Sequence, residues 1–95
     1  MSLEFEWDSR KAAANRRKHG VTFEEAATVF GDPLALVFID EDHSIEERRE
    51  IMIGHSERQR LLLVAFTDRG GKIRIISSRN VTKRERRDYE ENRND

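Results

Sequence analysis

The stretch LLLVAFTDRGGKIRIIS, residues 61–77, decides the fold. Two apolar runs, LLLVAFT (61–67) and KIRIIS (72–77), flank the pair Gly70-Gly71 at hairpin distance, so they read as antiparallel neighbours. LLLVAF is apolar at every position, the mark of a central strand covered on both sides. KIRIIS is half polar: Lys72 and Arg74 share one face, Ile73 and Ile75 the other. Upstream, REIMIGH (49–55) and LALVFI (34–39) extend the same meander, and LEFEW (3–7) alternates as a short first strand.

Helices fill the rest. Asp8 is placed to N-cap a helix over SRKAAANRRKH (9–19), with Gly20 as its stop. TFEE places Thr22 and Glu25 as a capping box, and Val21 can staple against Ala26. Phe23, Ala26, Ala27 and Phe30 form one buried stripe ended by GDP (31–33). A last helix runs from about Lys83 to Asn92, opened by a second box, Thr82 to Glu85, and the tail ENRND is expected to fray. The expected fold is a single α+β domain over residues 1–95. An antiparallel sheet (a short N-terminal strand plus a four-strand meander) carries two N-terminal helices on one face, with a C-terminal helix following.

Composition narrows the function. A chain of 95 residues, 36% hydrophobic and 39% charged, buries roughly two-thirds of its unfolded surface in one compact core. It contains no cysteine, which excludes disulfides, thiol chemistry and thiolate metal sites. MSLEFEWD lacks the basic and apolar regions of a secretory signal, and no apolar run approaches the roughly 18 residues of a membrane span, so a cytoplasmic location is expected. The net charge of −1 hides an asymmetry: Arg69 to Arg87 holds eight basic residues against one acid, whereas five of the eight residues from Asp40 to Glu47 are acidic.

Familiar catalytic motifs are absent: no Walker A sequence, GxGxxG, GxSxG or HExxH. DEDH (40–43) offers oxygen ligands, but an acidic loop is more often simply solvated. The positive feature is the junction KIRIISSRNVTKRERRDYEE (72–91). Arg74, Arg79, Lys83 and Arg86 can converge where the last strand meets the last helix, whose N-terminus itself favours an anion. The pairs Arg84/Asp88, Arg86/Glu90 and Arg87/Glu91 place the base before the acid, against the order that local stability prefers. Guanidinium groups aimed at a phosphate can stabilise a phosphorane, and His55 can add a proton-transfer group. Taken singly, each arginine is an ordinary solvated charge and Tyr89 a packing residue with its hydroxyl at the rim. His19 reads as a helix C-terminal cation, His43 as loop decoration, and Phe5 and Trp7 as core.

The segments FEWDSRKAAANRRKHGVTFEEAATVFGDP, RREIMIGHS and RIISSRNVTKRERRDYEE together resemble the BrnT-type toxins of bacterial type II toxin–antitoxin systems. The signatures are WDxxKAxxNxxKHGVxFEEA and RIISxRxxxxxERxxYE, and the resemblance runs from about Glu4 to Glu91. It implies a RelE-like fold and a ribonuclease that cleaves RNA without metal or other cofactor and inhibits translation. It also implies a BrnA-like ribbon-helix-helix antitoxin, with operator DNA met only through the complex, and no membrane. Carried onto this chain, Arg79 and Arg74 become the phosphate and transition-state binders. Lys83, His55 or Tyr89 would handle protons, and Lys72, Arg86 and Arg87 add phosphate contacts. Ser78 and Val81 stand where alanine is frequent in that family.

Two other readings compete. In one, the chain is a degenerate toxin that retains only antitoxin binding and autoregulation, its basic patch meeting an acidic segment of the partner. In the other it binds DNA directly, but no recognition-helix pattern supports that.

Overall fold

A computed structural model describes residues 3–44 and 47–93. Met1 and Ser2, part of the stretch read against a secretory signal, Ile45 and Glu46 of the acidic segment, and Asn94 and Asp95 of the tail lie outside them. The elements are β1 (Phe5–Glu6), α1 (Ser9–His19), α2 (Phe23–Thr28) with a 3-10 turn (Val29–Gly31), and β2 (Leu36–Ile39). After a second 3-10 turn come β3 (Glu50–His55), β4 (Leu61–Arg69), β5 (Lys72–Asn80) and α3 (Lys83–Arg93). Helix α3 thus continues through Glu91, Asn92 and Arg93, where fraying was expected.

The strands form one sheet in the order β1-β5-β4-β3-β2. β2 to β5 are the expected antiparallel meander. β1 corrects the expectation of an antiparallel sheet: it lies parallel to β5, Phe5 opposite Ile73 and Glu6 opposite Arg74, so the sheet is mixed. A hairpin turn dictates antiparallel pairing for its two strands, but nothing local dictates the partner of a strand joined through two helices.

The helices also depart from the expected layering. α2 and the 3-10 turn cover one face, where Val21, Phe23, Ala26 and Val29 meet Met52, Leu62, Val64, Phe66 and Ile75. Trp7 stacks edge-on to Phe23 at 5.9 Å and Phe5 to Phe30 at 5.1 Å, both as core residues. α1 instead runs along β5. Its buried Asn15 donates to the Ser78 carbonyl at 2.8 Å and accepts from the Ser78 amide at 3.1 Å, so one side-chain amide takes the place of a neighbouring strand. α3 covers part of the opposite face, with Tyr89 packed among Ile53, Leu61 and Leu63. LLLVAF is thus covered by α2 on one face and, at Leu61 and Leu63, by α3 on the other.

A bulge in β5 aims the functional side chains. Ser77 opposes Ala65 and Ile75 opposes Phe66, leaving Ile76 without a partner. One extra residue reverses the alternation. Arg79 has the sequence parity of Ile73 and Ile75, yet it pairs with Leu63 and faces α3, while those isoleucines face the α2 core.

Gly54 permits a second close approach. A Cβ there would stand 3.0 Å from Ala35 Cβ and Val29 Cγ1, and 3.1 Å from Asp32 Oδ2. Gly54→Ala is expected to destabilise the fold by about 1–3 kcal/mol. Thermal melting should show it as a fall of at least several degrees.

Candidate active site

β3 ends at His55, opposite Leu61 of β4, and the Val81 amide reaches the same row by donating a hydrogen bond to the Leu61 carbonyl. This end of the sheet collects the chemistry. The Tyr89 side chain of α3 crosses it, 1% exposed, with its hydroxyl donating to Asp32 Oδ2 at 2.8 Å. His55 Nδ1 lies 3.2 Å from that hydroxyl oxygen, and the His55 amide donates to the same Asp32 oxygen at 2.8 Å. Because the tyrosine proton goes to the carboxylate, its oxygen is left to accept from Nδ1–H. In the neutral ring this network sets the proton on Nδ1, so that the lone pair is on Nε2. His55 is about one-third exposed and borders a depression of about 280 Å³ lined by Thr28, Gly31, Asp32, Ser56, Glu57 and Gln59.

Burial would raise the Asp32 carboxyl. Hydrogen bonds from the His55 and Leu34 amides and the Tyr89 hydroxyl, with the field of His55, outweigh it and hold the pKa below the usual carboxylate value. Asp32 therefore stays anionic and fixes both Tyr89 and His55. The sequence offered Asp32 only as part of the GDP stop. Asp-Pro after a helix is ordinary turn chemistry, and nothing local marks it as a partner for residues 23 and 57 positions away.

One turn earlier on the same face of α3, Glu85 holds Arg79 with two bonds, Nη1 to Oε1 at 2.8 Å and Nη2 to Oε2 at 3.0 Å. Glu85 also completes the expected capping box: its Oε1 accepts from the Thr82 amide and Thr82 Oγ1 accepts from the Glu85 amide. The bond from Arg79 outweighs burial and, with the Thr82 bonds, lowers the Glu85 pKa. Side chains at i and i+4 stand about 5–6 Å apart, so Arg79 and His55 are gripped by successive turns of one helix. Lys83, Arg86 and Arg87 are exposed on the first turns of α3. Arg79–Glu85 is the only ion pair of α3 among the described residues, so the base-first pairs along the helix do not close.

Lys72 and Arg74 are not part of this group. Arg74 bonds Glu6 on β1 at 2.9 Å, and five steps along the strand, about 16 Å, separate it from Arg79. Lys72 lies farther still, opposite Arg69 beside the hairpin turn. Among the described residues the buried Ser78 hydroxyl has no hydrogen-bond partner, so alanine would suit that position equally well. His43 bonds Asp40 at 3.0 Å, and among the described residues no three His, Asp or Glu side chains are grouped so as to hold a metal ion. No helix of the described residues is long and apolar enough to cross a membrane.

The family model described as "Ribonuclease toxin, BrnT, of type II toxin-antitoxin system" matches residues 7–85. A crystal structure of the ribonuclease toxin BrnT from Brucella abortus, at 1.1 Å resolution, is similar with a TM-score of 0.66 and 24% sequence identity. The match covers 86% of this chain and 100% of that one, and the likeness is one of fold. Among curated proteins no sequence matches this chain.

Proposed function

The chain belongs to the BrnT family of ribonuclease toxins of type II toxin–antitoxin systems, and from that premise we propose that it is a metal-independent endoribonuclease whose active site is the His55–Arg79 end of the sheet. The carrying observation is the chain of bonds from Asp32 through Tyr89 to His55 Nδ1, one helical turn along α3 from the Glu85 that holds Arg79; in the proposal Nε2 is the base. In the proposed step Nε2 takes the proton of a ribose 2′-hydroxyl as that oxygen attacks the adjacent phosphorus. The bond from phosphorus to the 5′ oxygen breaks, and the leaving oxygen takes a proton from Lys83. The products are a 2′,3′-cyclic phosphate and a 5′-hydroxyl. Arg79 stabilises the charge on the phosphorane, and Arg86 and Arg87 hold flanking phosphates.

Free, the protein would act on RNA and stop translation. A ribbon-helix-helix antitoxin would neutralise it, with operator DNA reached only through the complex. Incubating the purified chain with RNA in EDTA tests the reading. Cleavage with cyclic-phosphate ends, lost in His55→Gln, is the expected result; metal-dependent cleavage or 3′-hydroxyl ends would overturn it. The Glu85 clasp on Arg79 favours a second reading, a toxin silent as an enzyme that acts through antitoxin binding alone. A folded chain that binds a partner but leaves RNA intact would establish that reading.

A further inference from the structure

The proposed active site leaves one group of charges unused. α1 carries Arg10, Lys11, Arg16, Arg17 and Lys18, ends in His19, and contains no acid. Among the described residues none of these five lysines and arginines forms an ion pair, whereas Arg48, Arg58, Arg60, Arg69, Arg74 and Arg79 all do. Lys11, Asn15 and Lys18 recur at i, i+4 and i+7 and so share a stripe. Together with His19, Ile76 and Ser77 they line a groove of about 230 Å³ between α1 and β5. Asn15 is the anchor, tied to Ser78 on the open strand edge, with a lysine on either side about 10 Å apart along the helix.

The groove has a direction. α1 follows Glu6, which lies opposite Arg74, passes Ser78 at Asn15, and ends at Gly20, whose carbonyl accepts from Arg60 beside the Leu61–His55 row. Its lysines therefore lead along β5 toward Asn80, the end that holds Arg79. The bulged residue Ile76 forms part of the floor, so the irregularity that turns Arg79 toward α3 also shapes this groove.

We propose that the α1–β5 groove is a second RNA site, a track in which Lys11, Lys18 and His19 hold backbone phosphates of the strand whose scissile phosphate lies at Arg79. This rests on the ribonuclease reading above. The opposing occupant, an acidic segment of a protein, is disfavoured by the lining. Among its described lining residues Ile76 is the one large apolar side chain, while exposed large apolar side chains stand at the other edge of the sheet, on Val37, Phe38 and Ile39 of β2. Protein interfaces are anchored by buried apolar groups; single-stranded nucleic acid is held by cations along its backbone.

The test is binding of a fluorescent, cleavage-resistant 2′-O-methyl oligoribonucleotide across a salt series. The parent, Lys11→Gln/Lys18→Gln and Arg48→Gln/Arg69→Gln are compared, the last removing equal charge away from the groove. The groove variant is expected to bind about tenfold more weakly near 0.1 M salt. Its slope of log affinity against log salt should be shallower by about 1.4, that is about 0.7 for each phosphate left without its lysine. Equal losses in both variants would reduce the effect to net charge and overturn the proposal, as would an unchanged slope in the groove variant. Loss of polyglutamate binding with RNA binding intact would assign the groove to a protein partner instead. A parent that neither binds nor cleaves RNA would overturn the ribonuclease reading itself, an outcome distinct from the others.

Discussion

Replacing Arg79 with alanine is expected to lower RNA cleavage by about 10²–10³-fold, the usual cost of removing one donor aimed at a transition-state oxyanion. The fold should survive. The Arg79–Glu85 pair is partly exposed, 37% and 23% at the two side chains, so its loss costs stability of order 1 kcal/mol or less. Glu85 keeps its bonds to Thr82, and the N-terminus of α3 stays capped. Arg79→Lys sharpens the test, because it keeps the charge but loses the planar fork that meets a carboxylate or phosphate with two bonds. Cleavage should stay well below the parent's in the lysine variant too. A thermal midpoint near the parent's with cleavage abolished would place Arg79 in the chemistry. Collapse of the fold, or undiminished cleavage, would make the Glu85 clasp its whole role. Glu85 therefore has two possible effects: it orients the guanidinium and also occupies two of its donors. Glu85→Gln in the same assay separates these, since faster cleavage identifies the clasp as restraint and slower cleavage as orientation.

Local pattern made much of the fold legible. Helix α1 begins after Asp8, whose carboxylate accepts from the Arg10 and Lys11 amides, and stops at Gly20 with φ 68°, both as the cap residues indicate. The meander followed from apolar runs separated by turns. What escaped were relations that no local pattern encodes: the parallel partner of β1, the seat of α1 on a strand edge, and the bulge at Ile76. The bulge matters most. Strict alternation points Arg79 at the α2 core, and one unpaired residue turns it to the face where Glu85 and Tyr89 wait.

The site was legible in its residue types more than in its partners. His55 meets Tyr89, and Glu85 one turn away holds Arg79, at one end of the sheet, while Lys72 and Arg74, equally basic in sequence, stand at the other. Charge density along the chain counts residues, but strand length separates them. Asp32, Asn15 and Glu25 were missed as long-range hydrogen-bond partners because each carries an ordinary local explanation: a turn, a helix interior and a capping box. In Glu25 that explanation is half wrong. Thr22 does accept from the Glu25 amide at 3.1 Å, but the Glu25 carboxylate turns away from Thr22 and into the protein.

That carboxylate carries the largest stability effect expected here. The Glu25 side chain is 4% exposed; its Oε2 accepts from Ser56 Oγ at 2.7 Å and Arg60 Nε at 2.9 Å, and its Oε1 accepts from the second guanidinium nitrogen of Arg60. Arg60 also donates to the Gly20 carbonyl, so one pair ties α2, the end of α1 and the turn between β3 and β4. Glu25→Gln leaves Arg60 without its counter-charge and should destabilise by about 2–3 kcal/mol at neutral pH, below the full cost of breaking a wholly buried pair because Arg60 is 34% exposed. The pH dependence has a fixed sign. The Arg60 bond, against the opposing effect of burial, holds the Glu25 pKa below its ordinary value. A carboxyl depressed in the folded state adds stability that is complete above the unfolded pKa, about 4.3, and is lost as pH falls through the folded value. Asp32 and Glu85 are depressed as well and act in the same direction. Urea midpoints taken from pH 7 down to pH 3 should show the parent losing stability more steeply than Glu25→Gln, so that the two converge in acid. A gap that stays constant across the series would mean that Glu25 contributes by shape and hydrogen bonding alone, and that its charge is incidental to the fold.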